Sequence, residues 1–381
     1  MLDYKARMTQ FQQDLEGQAD LAFFPISADL NYLTGVPRDI PNYGWTMHPG
    51  GWLEGGWIAP NKPPVLTLPR MTAEFGGLIG SSDVELLVLG DHGDPAEMVA
   101  KILKQMDLPE SPTIAVGDRT HGETLIHLQE MLPGVKFVSG TTITRKRRVI
   151  KSEEEIDILR KAGAITEAAF ADTIKNLKHG MTELEVMTEV NYQLRKHGSL
   201  GESFTTSLYN SGVNHPLVLG KRLETMPRVL EPPVAILFDF GAILDDYCYD
   251  FGRTVWFGEP NDEIIKVHGL VMAAQAAGMA ALKVGNTTAE ADAAARSVIE
   301  EAGMGPLFRH RLGHGIGMDV HEPPFLTASD HTPLQAGMLF TDEPSILQDA
   351  GPSARVEDIV VVREGKGEPL TSGFQELVVI D

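Results

Sequence analysis

Along the first third of the chain, apolar and polar positions switch between two periods. The runs at 20–25 (DLAFFP), 65–69 (VLTLP), 84–90 (VELLVLG), 113–118 (TIAVGD) and 135–140 (VKFVSG) are short and apolar, and turn-forming residues punctuate them. That pattern predicts strands. Between them the spacing lengthens to that of a helix, over a polar stretch at about 3–16 and over EMVAKILKQM (97–106) and ETLIHLQEML (123–132). Strands separated by helices predict an α/β domain with a largely parallel sheet.

The pattern breaks from Thr142 to Glu155, where TITRKRRVIKSEEE is the densest charge run in the chain. It reads as a solvated crossover into a helix. Ser152 followed by Glu155 has the spacing of a capping box, and apolar residues then recur at Ile158, Ala162, Ile165 and Ala169. Thr182 with Glu185 makes a second box after Gly180. A domain boundary near 147 follows, giving an N-terminal α/β domain over 1–146 and a C-terminal domain over 147–381. In the latter, SFTTSLY (203–209), VAILFDFG (234–241) and YCYDFGRTVWF (247–257) are β-rich, with Leu244-Asp245-Asp246 as a turn. Helices are expected at about 262–283 and 288–302, and strands return in DIVVVRE and QELVVID. Helices against a mainly antiparallel sheet predict an α+β architecture.

Composition narrows the function classes. The 381 residues include 53 acidic and 32 basic side chains, a net charge of −21. Nucleic acid and anionic membrane surfaces would repel such a chain, so neither is an expected partner. The single cysteine, Cys248, excludes an internal disulfide and a Cys-rich zinc module. The N-terminus lacks the apolar stretch of a secretory signal, and no eighteen-residue run is uninterrupted and apolar. A soluble, cytoplasmic protein is expected.

Four carboxylates interrupt strand text. Asp239 lies in ILFDFG and Asp250 in CYDFGRT, across an expected hairpin; Glu343 lies in LFTDEP and Glu357 in ARVED. A carboxylate inside a sheet is costly unless paired or metal-bound. Strand alternation sends Asp342 to the face opposite Glu343. His314, in RHRLGHGIGMDVHEPP, is a candidate nitrogen ligand, flanked by His310 and His321. Gly313, Gly315 and Gly317 argue against a helix there and for backbone passing close to something. Taken singly, a buried histidine is more often a satisfied core residue and a strand aspartate a turn anchor. The GHGIG run opens no helix and offers no phosphate site.

Taken together, the order Asp239, Asp250, His314, Glu343, Glu357 resembles the creatinase/aminopeptidase P ("pita-bread") metallohydrolases. FDFG, YDFGRT, HRLGHGIGMDVHEPP, GMLFTDEP and ARVED carry the resemblance, along with RRVIKSEEEIDILRKAG and NYLTGVP (31–37). It implies a creatinase-like α/β N-terminal domain and an α+β pita-bread catalytic domain. It implies two divalent ions: Asp250 and Glu357 bridging, Asp239 completing one ion's shell, His314 with Glu343 the other's. Such a pair lowers the pKa of a shared water and polarises the scissile carbonyl. Glu343 is the expected proton shuttle, His310 and His321 hold the substrate carbonyl and its intermediate, and Arg355 orients carboxylates or pairs with a substrate carboxylate. Manganese is the expected metal, with cobalt, iron and zinc as the other candidates. The implied activity is that of an Xaa-Pro peptidase, aminopeptidase or dipeptidase, acting on small peptides as a homodimer.

Two departures from the family pattern stand out. Peptidase members usually read EPGIY after the first Glu, whereas this chain reads EPSIL, with Ser345 and Leu347. The SGxN turn is followed directly by His215, several residues earlier than usual; a shortened loop would still bring it to the site. These motivate an alternative, hydrolysis of a non-peptide C–N bond in a small molecule such as a compatible solute or amide. A catalytically silent binding module is a third class, marked by ligand loss, which is not seen. The segment 41–60 gathers Trp45, Trp52 and Trp57 among glycines, either as anchors of a loop or as a substrate-side wall.

Overall fold

A computed structural model of the chain describes residues 2–38, 50–75 and 84–380. Two compact units divide it, 1–148 and 149–381.

The first unit is built on a six-stranded sheet in the order Glu85–Leu89, Val65–Pro69, Gly55–Ile58, Leu21–Pro25, Thr113–Val116, Lys136–Ser139. The sheet is mixed rather than largely parallel, because Gly55–Ile58 runs antiparallel to both its neighbours. A short loop, 59–64, leads from it into Val65–Pro69, and a connection that short permits only an antiparallel pair. Its sequence, GGWI, reads as loop because glycine is depleted in strands. Here the missing side chain is required, since a Cβ on Gly55 would stand 2.3 Å from the Phe24 carbonyl oxygen. Trp57 lies in this strand, fully buried against Phe23, and its indole N–H donates to Thr67 Oγ1 at 2.8 Å. Trp52 packs on His127. Both indoles are therefore fixed within the core of this unit, which corrects the idea that they form a substrate-side wall. Trp45 lies outside the described residues.

The second unit begins with the helix Glu153–Asn176, whose capping box forms as expected: the Ser152 amide donates to Glu155 Oε2 and the Glu155 amide to Ser152 Oγ. Glu155 also accepts from the buried Tyr247 hydroxyl at 2.7 Å, tying the helix start to the hairpin that leads into Asp250. That hairpin turns at Asp245-Asp246, both in left-handed conformation (φ 47° and 65°), as a two-residue β-turn demands. Two sheets carry the unit. One has the order Val378–Ile380, Phe251–Phe257, Val234–Phe240, Ser207–Ser211; the other has Glu322–Leu326, Gly313–Gly315, Leu339–Asp342, Asp358–Val361, Glu368–Pro369. All pairs are antiparallel except Phe251–Phe257 with Val378–Ile380. The sheets meet where Gly252 and Glu357 exchange backbone hydrogen bonds of 2.9 and 3.2 Å. Helices Asp262–Ala281 and Thr288–Glu301 cover an apolar core of Val267, Val271, Ala295, Phe340 and Val360. The former helix is long and apolar enough by composition to cross a membrane, yet it buries His268 and Gln275 together with that apolar face.

Candidate metal centre

The hairpin of Val234–Phe240 and Phe251–Phe257 sets Asp239 opposite Gly252 and brings Asp250 in at the start of the second strand. Glu357 approaches from the other sheet across Gly252, where a Cβ would stand 3.0 Å from the Glu357 Cβ and 3.2 Å from its Oε2. Gly313 is required on the same ground, since a Cβ there would lie 1.9 Å from the Thr341 carbonyl oxygen. The glycines around His314 thus serve close strand packing, with His314 projecting from Gly313–Gly315. Glu343 follows Leu339–Asp342 directly.

These elements converge. Oxygens of Asp239, Asp250 and Glu357 lie within 4.8 Å of one another, and so do ligating atoms of His314, Glu343 and Glu357, and those of Asp250, His314 and His321. All five residues expected as ligands are in this cluster. His314 Nδ1 lies 3.0 Å from the Gly315 carbonyl oxygen, which can only accept, so the proton sits on Nδ1. The bare Nε2 lone pair then faces Glu343 Oε1 at 3.4 Å and Asp250 Oδ2 at 3.6 Å. Burial lowers the His314 pKa to about 4, keeping the ring neutral at pH 7. A neutral imidazole with its tautomer fixed by a backbone carbonyl is the form that ligates a metal.

One guanidinium answers three of the four carboxylates. Arg355 Nη1 lies 3.0 Å from Asp239 Oδ2, and Nη2 lies 2.7 Å from Glu343 Oε2 and 2.8 Å from Glu357 Oε2. Burial would raise the Glu343 pKa, but Arg355, His314 and His310 outweigh it and hold the carboxyl at about 2. Asp250 and Glu357 go the other way: burial, then the neighbouring carboxylates, push both well above the ordinary range. Asp250 Oδ1 and Glu357 Oε1 are buried with no hydrogen-bond partner among the described residues. A buried set of four carboxylates, one guanidinium and a ligand-ready imidazole fits divalent cations, which would supply the missing positive charge.

The other expected residues divide. His321 packs edge-on against His314, with ring centroids 4.1 Å apart. His310 has Nδ1 at 2.7 Å from the Arg311 carbonyl oxygen and Nε2 at 2.6 Å from Ser345 Oγ, and burial lowers its pKa. His215 is a turn residue and not a member of the centre. Its backbone closes a tight turn with Gly212, and its Nε2 accepts from the Glu231 amide at 3.1 Å. The charges acting on it are those of Arg228, Glu183 and Glu231.

Sequence reasoning missed Thr341, which accepts from the His314 amide at 3.0 Å and donates to Glu343 Oε1 at 3.1 Å. Alternation was the available signal, since residues 341 and 343 share a strand face. It also missed Tyr209, whose hydroxyl pKa is raised by burial and by nearby Asp239.

A family model, metallopeptidase family M24, matches residues 157–364. The chain is 36% identical to the Xaa-Pro dipeptidase of Lactobacillus delbrueckii subsp. lactis over 370 residues, 96% of each chain. The solved dipeptidase of Pyrococcus horikoshii OT3 superposes with a TM-score of 0.85 at 26% identity, covering 98% of this chain and 100% of that one. The X-Pro aminopeptidase of Thermotoga maritima MSB8 gives 0.83 at 28% identity, with 97% and 99% covered. The architecture is the pita-bread fold shared with these prolidase and aminopeptidase structures. A match to more than half of the chain, with near full-length relatives beyond it, shows that the chain belongs to metallopeptidase family M24.

Proposed function

We propose that this chain is a metal-dependent Xaa-Pro peptidase. The observation that carries the reading is the buried carboxylate set, short of positive charge and facing a His314 lone pair. The named dipeptidase and aminopeptidase relatives support proline peptides as substrates. Asp239, Asp250, His314, Glu343 and Glu357 would hold two divalent ions. Manganese is favoured because the donor set is mostly carboxylate oxygen. When bound, such ions supply Lewis acidity toward a carbonyl and lower the pKa of water.

The protein's own groups do the rest. Glu343 sits within reach of both Thr341 and Arg355, so its carboxylate is oriented to take a proton from the attacking water and return it to the leaving amine. Arg355 keeps three carboxylates in register. His321, exposed beside His314, would donate to the substrate carbonyl oxygen. Residues 147–381 form the catalytic domain in this reading. A cytoplasmic homodimer is part of the proposal. The exposed Val213 and Leu223 support a protein partner surface.

The test is manganese-supplemented turnover of Xaa-Pro dipeptides, Xaa-Pro tripeptides and non-proline controls. Cleavage confined to proline peptides is expected, and the length preference separates dipeptidase from aminopeptidase. No cleavage by a protein that retains two metals per chain would overturn the peptidase reading and revive the non-peptide C–N substrate. Light scattering at two protein concentrations tests the dimer.

A further inference from the structure

Ser345 stands where the family pattern has glycine, and it is fully buried. Its hydroxyl lies 2.6 Å from His310 Nε2. The direction of that bond is set at the other side of the ring. The Arg311 carbonyl oxygen, 2.7 Å from Nδ1, has no proton to give, so Nδ1 carries the hydrogen. A neutral imidazole has one N–H; Nε2 is therefore a bare acceptor, and Ser345 Oγ–H is the donor.

Both ends of the pair are anchored. The His310 carbonyl accepts from Arg296 Nη2 at 2.8 Å, while Arg296 makes a two-point ion pair with Asp292. Ser345 belongs to the short strand Ser345–Ile346 and is the register partner of Arg355, whose guanidinium holds Asp239, Glu343 and Glu357. The hydroxyl thus ties His310 to the strand pair that carries the carboxylate clamp.

We infer that Ser345 is the positioning residue of His310, holding its Nε2 as an acceptor, so that His321 alone donates to the substrate carbonyl oxygen. A carbonyl oxygen needs an N–H, and the neutral His310 ring presents none toward Ser345. His321 meets no such constraint: among the described residues neither of its ring nitrogens has a hydrogen-bond partner. With glycine at 345 the Arg311 carbonyl would still leave Nε2 bare, but nothing at that position would occupy its lone pair and hold the ring. The substrate contact rests on the peptidase reading above; the tautomer of His310 does not.

The experiment separates the two. Long-range proton–nitrogen spectra of zinc-loaded protein labelled with ¹⁵N-histidine report each ring's tautomer, and loss of one set in His310→Gln assigns His310. The Nδ1–H form is expected in the wild type. Ser345→Ala should move the His310 Nε2 resonance, and Ser345→Thr, which keeps the hydroxyl, should restore it. In turnover, Ser345→Ala should lower kcat/KM roughly fivefold, the size of one hydrogen bond. His321→Gln should lower it further than His310→Gln. An Nε2–H tautomer in the wild type, or an unmoved resonance in Ser345→Ala, overturns the pairing. A larger loss from His310→Gln than from His321→Gln overturns the division of labour. Absence of peptide turnover in the wild type would strike the peptidase reading, leaving the spectra to decide the pair.

Discussion

Two pairs of buried carboxylates occupy neighbouring positions on the same two segments, Asp342 with Asp358 on one side and Glu343 with Glu357 on the other. In the first pair Asp358 is met by ordinary protein groups, while neither carboxylate oxygen of Asp342 has a hydrogen-bond partner among the described residues. Asp358 accepts from Arg253 Nη2 at 2.8 Å, from Gln275 Nε2 at 3.0 Å and from the Thr371 hydroxyl at 2.5 Å. Arg253 is itself saturated by the carbonyls of Gly252, Glu357 and Gly373. Asp342 is pressed against the backbone at Gly278, where a Cβ would come within 2.7 Å of its Oδ1. Burial, with Asp358 and Glu343 nearby, pushes its pKa well above the ordinary range and so favours its protonated form. With Asp342 protonated, one cation, one anion and one proton balance that side. On the other side Arg355 pairs with three of the four carboxylates and Thr341 donates to Glu343, and oxygens of Asp250 and Glu357 are left over. The lesson is that burial of acids is tolerable by two routes, and only the unbalanced side has the donors to recruit ions.

Breaking the unbalanced side has the largest expected effect. Asp250→Ala or Glu357→Ala should lower kcat/KM by at least about a thousandfold, because the ions carry the chemistry. Metal analysis should show fewer than two ions per chain while circular dichroism is unchanged; full activity in either variant would refute the assignment. On the balanced side the loss should be of stability. Arg253→Met leaves Asp358 charged and buried and should cost about 3–5 kcal/mol in urea unfolding.

His268, buried on the Arg253 side, adds a pH dependence. Burial, then Arg253, lowers its pKa to about 4. The unfolded ring titrates near 6.5, so between pH 6.5 and 4 the unfolded chain binds a proton that the folded chain refuses. Stability should therefore fall across that window by up to about 3 kcal/mol and level off below it. The difference in unfolding free energy between wild type and His268→Leu, followed from pH 7 to 4, should carry that slope; parallel curves would refute it. The smallest effect sharpens the comparison. With Asp342 protonated, Asp342→Asn exchanges a neutral acid for a neutral amide and should cost under about 1.5 kcal/mol, against loss of turnover for Glu343→Gln. A cost as large as that of Arg253→Met would mean that Asp342 is charged.

Much of this was legible in the residues. The metal-centre side chains stood out because charge inside strand text is expensive, and strand alternation was enough to separate Asp342 from Glu343. What failed was what depends on distant partners. The Ser345 hydroxyl reads as a departure from a pattern until the chain brings back His310, 35 residues away. His215 follows an SGxN-like turn, but the turn closes on itself and spends the ring on Glu231. Gly55–Ile58 reads as loop because its strand character comes from pairing on both edges, not from its own residues. Arg355 reads as a neighbour of Glu357; only the folded geometry shows one guanidinium spanning three carboxylates.

The backbone exchange between Gly252 and Glu357 has a kinetic meaning. Asp239 and Asp250 belong to one sheet, while His314 and Glu343 belong to the other. Beside that exchange, the Thr254 hydroxyl donates to the Arg355 carbonyl and accepts from the Arg355 amide. To separate the two halves of the centre the protein must open this seam. The amide protons of Gly252, Glu357 and Arg355 are therefore clocks for disassembly. Their exchange lifetimes, with and without ions, would measure how far the bound metals slow the parting of the two sheets.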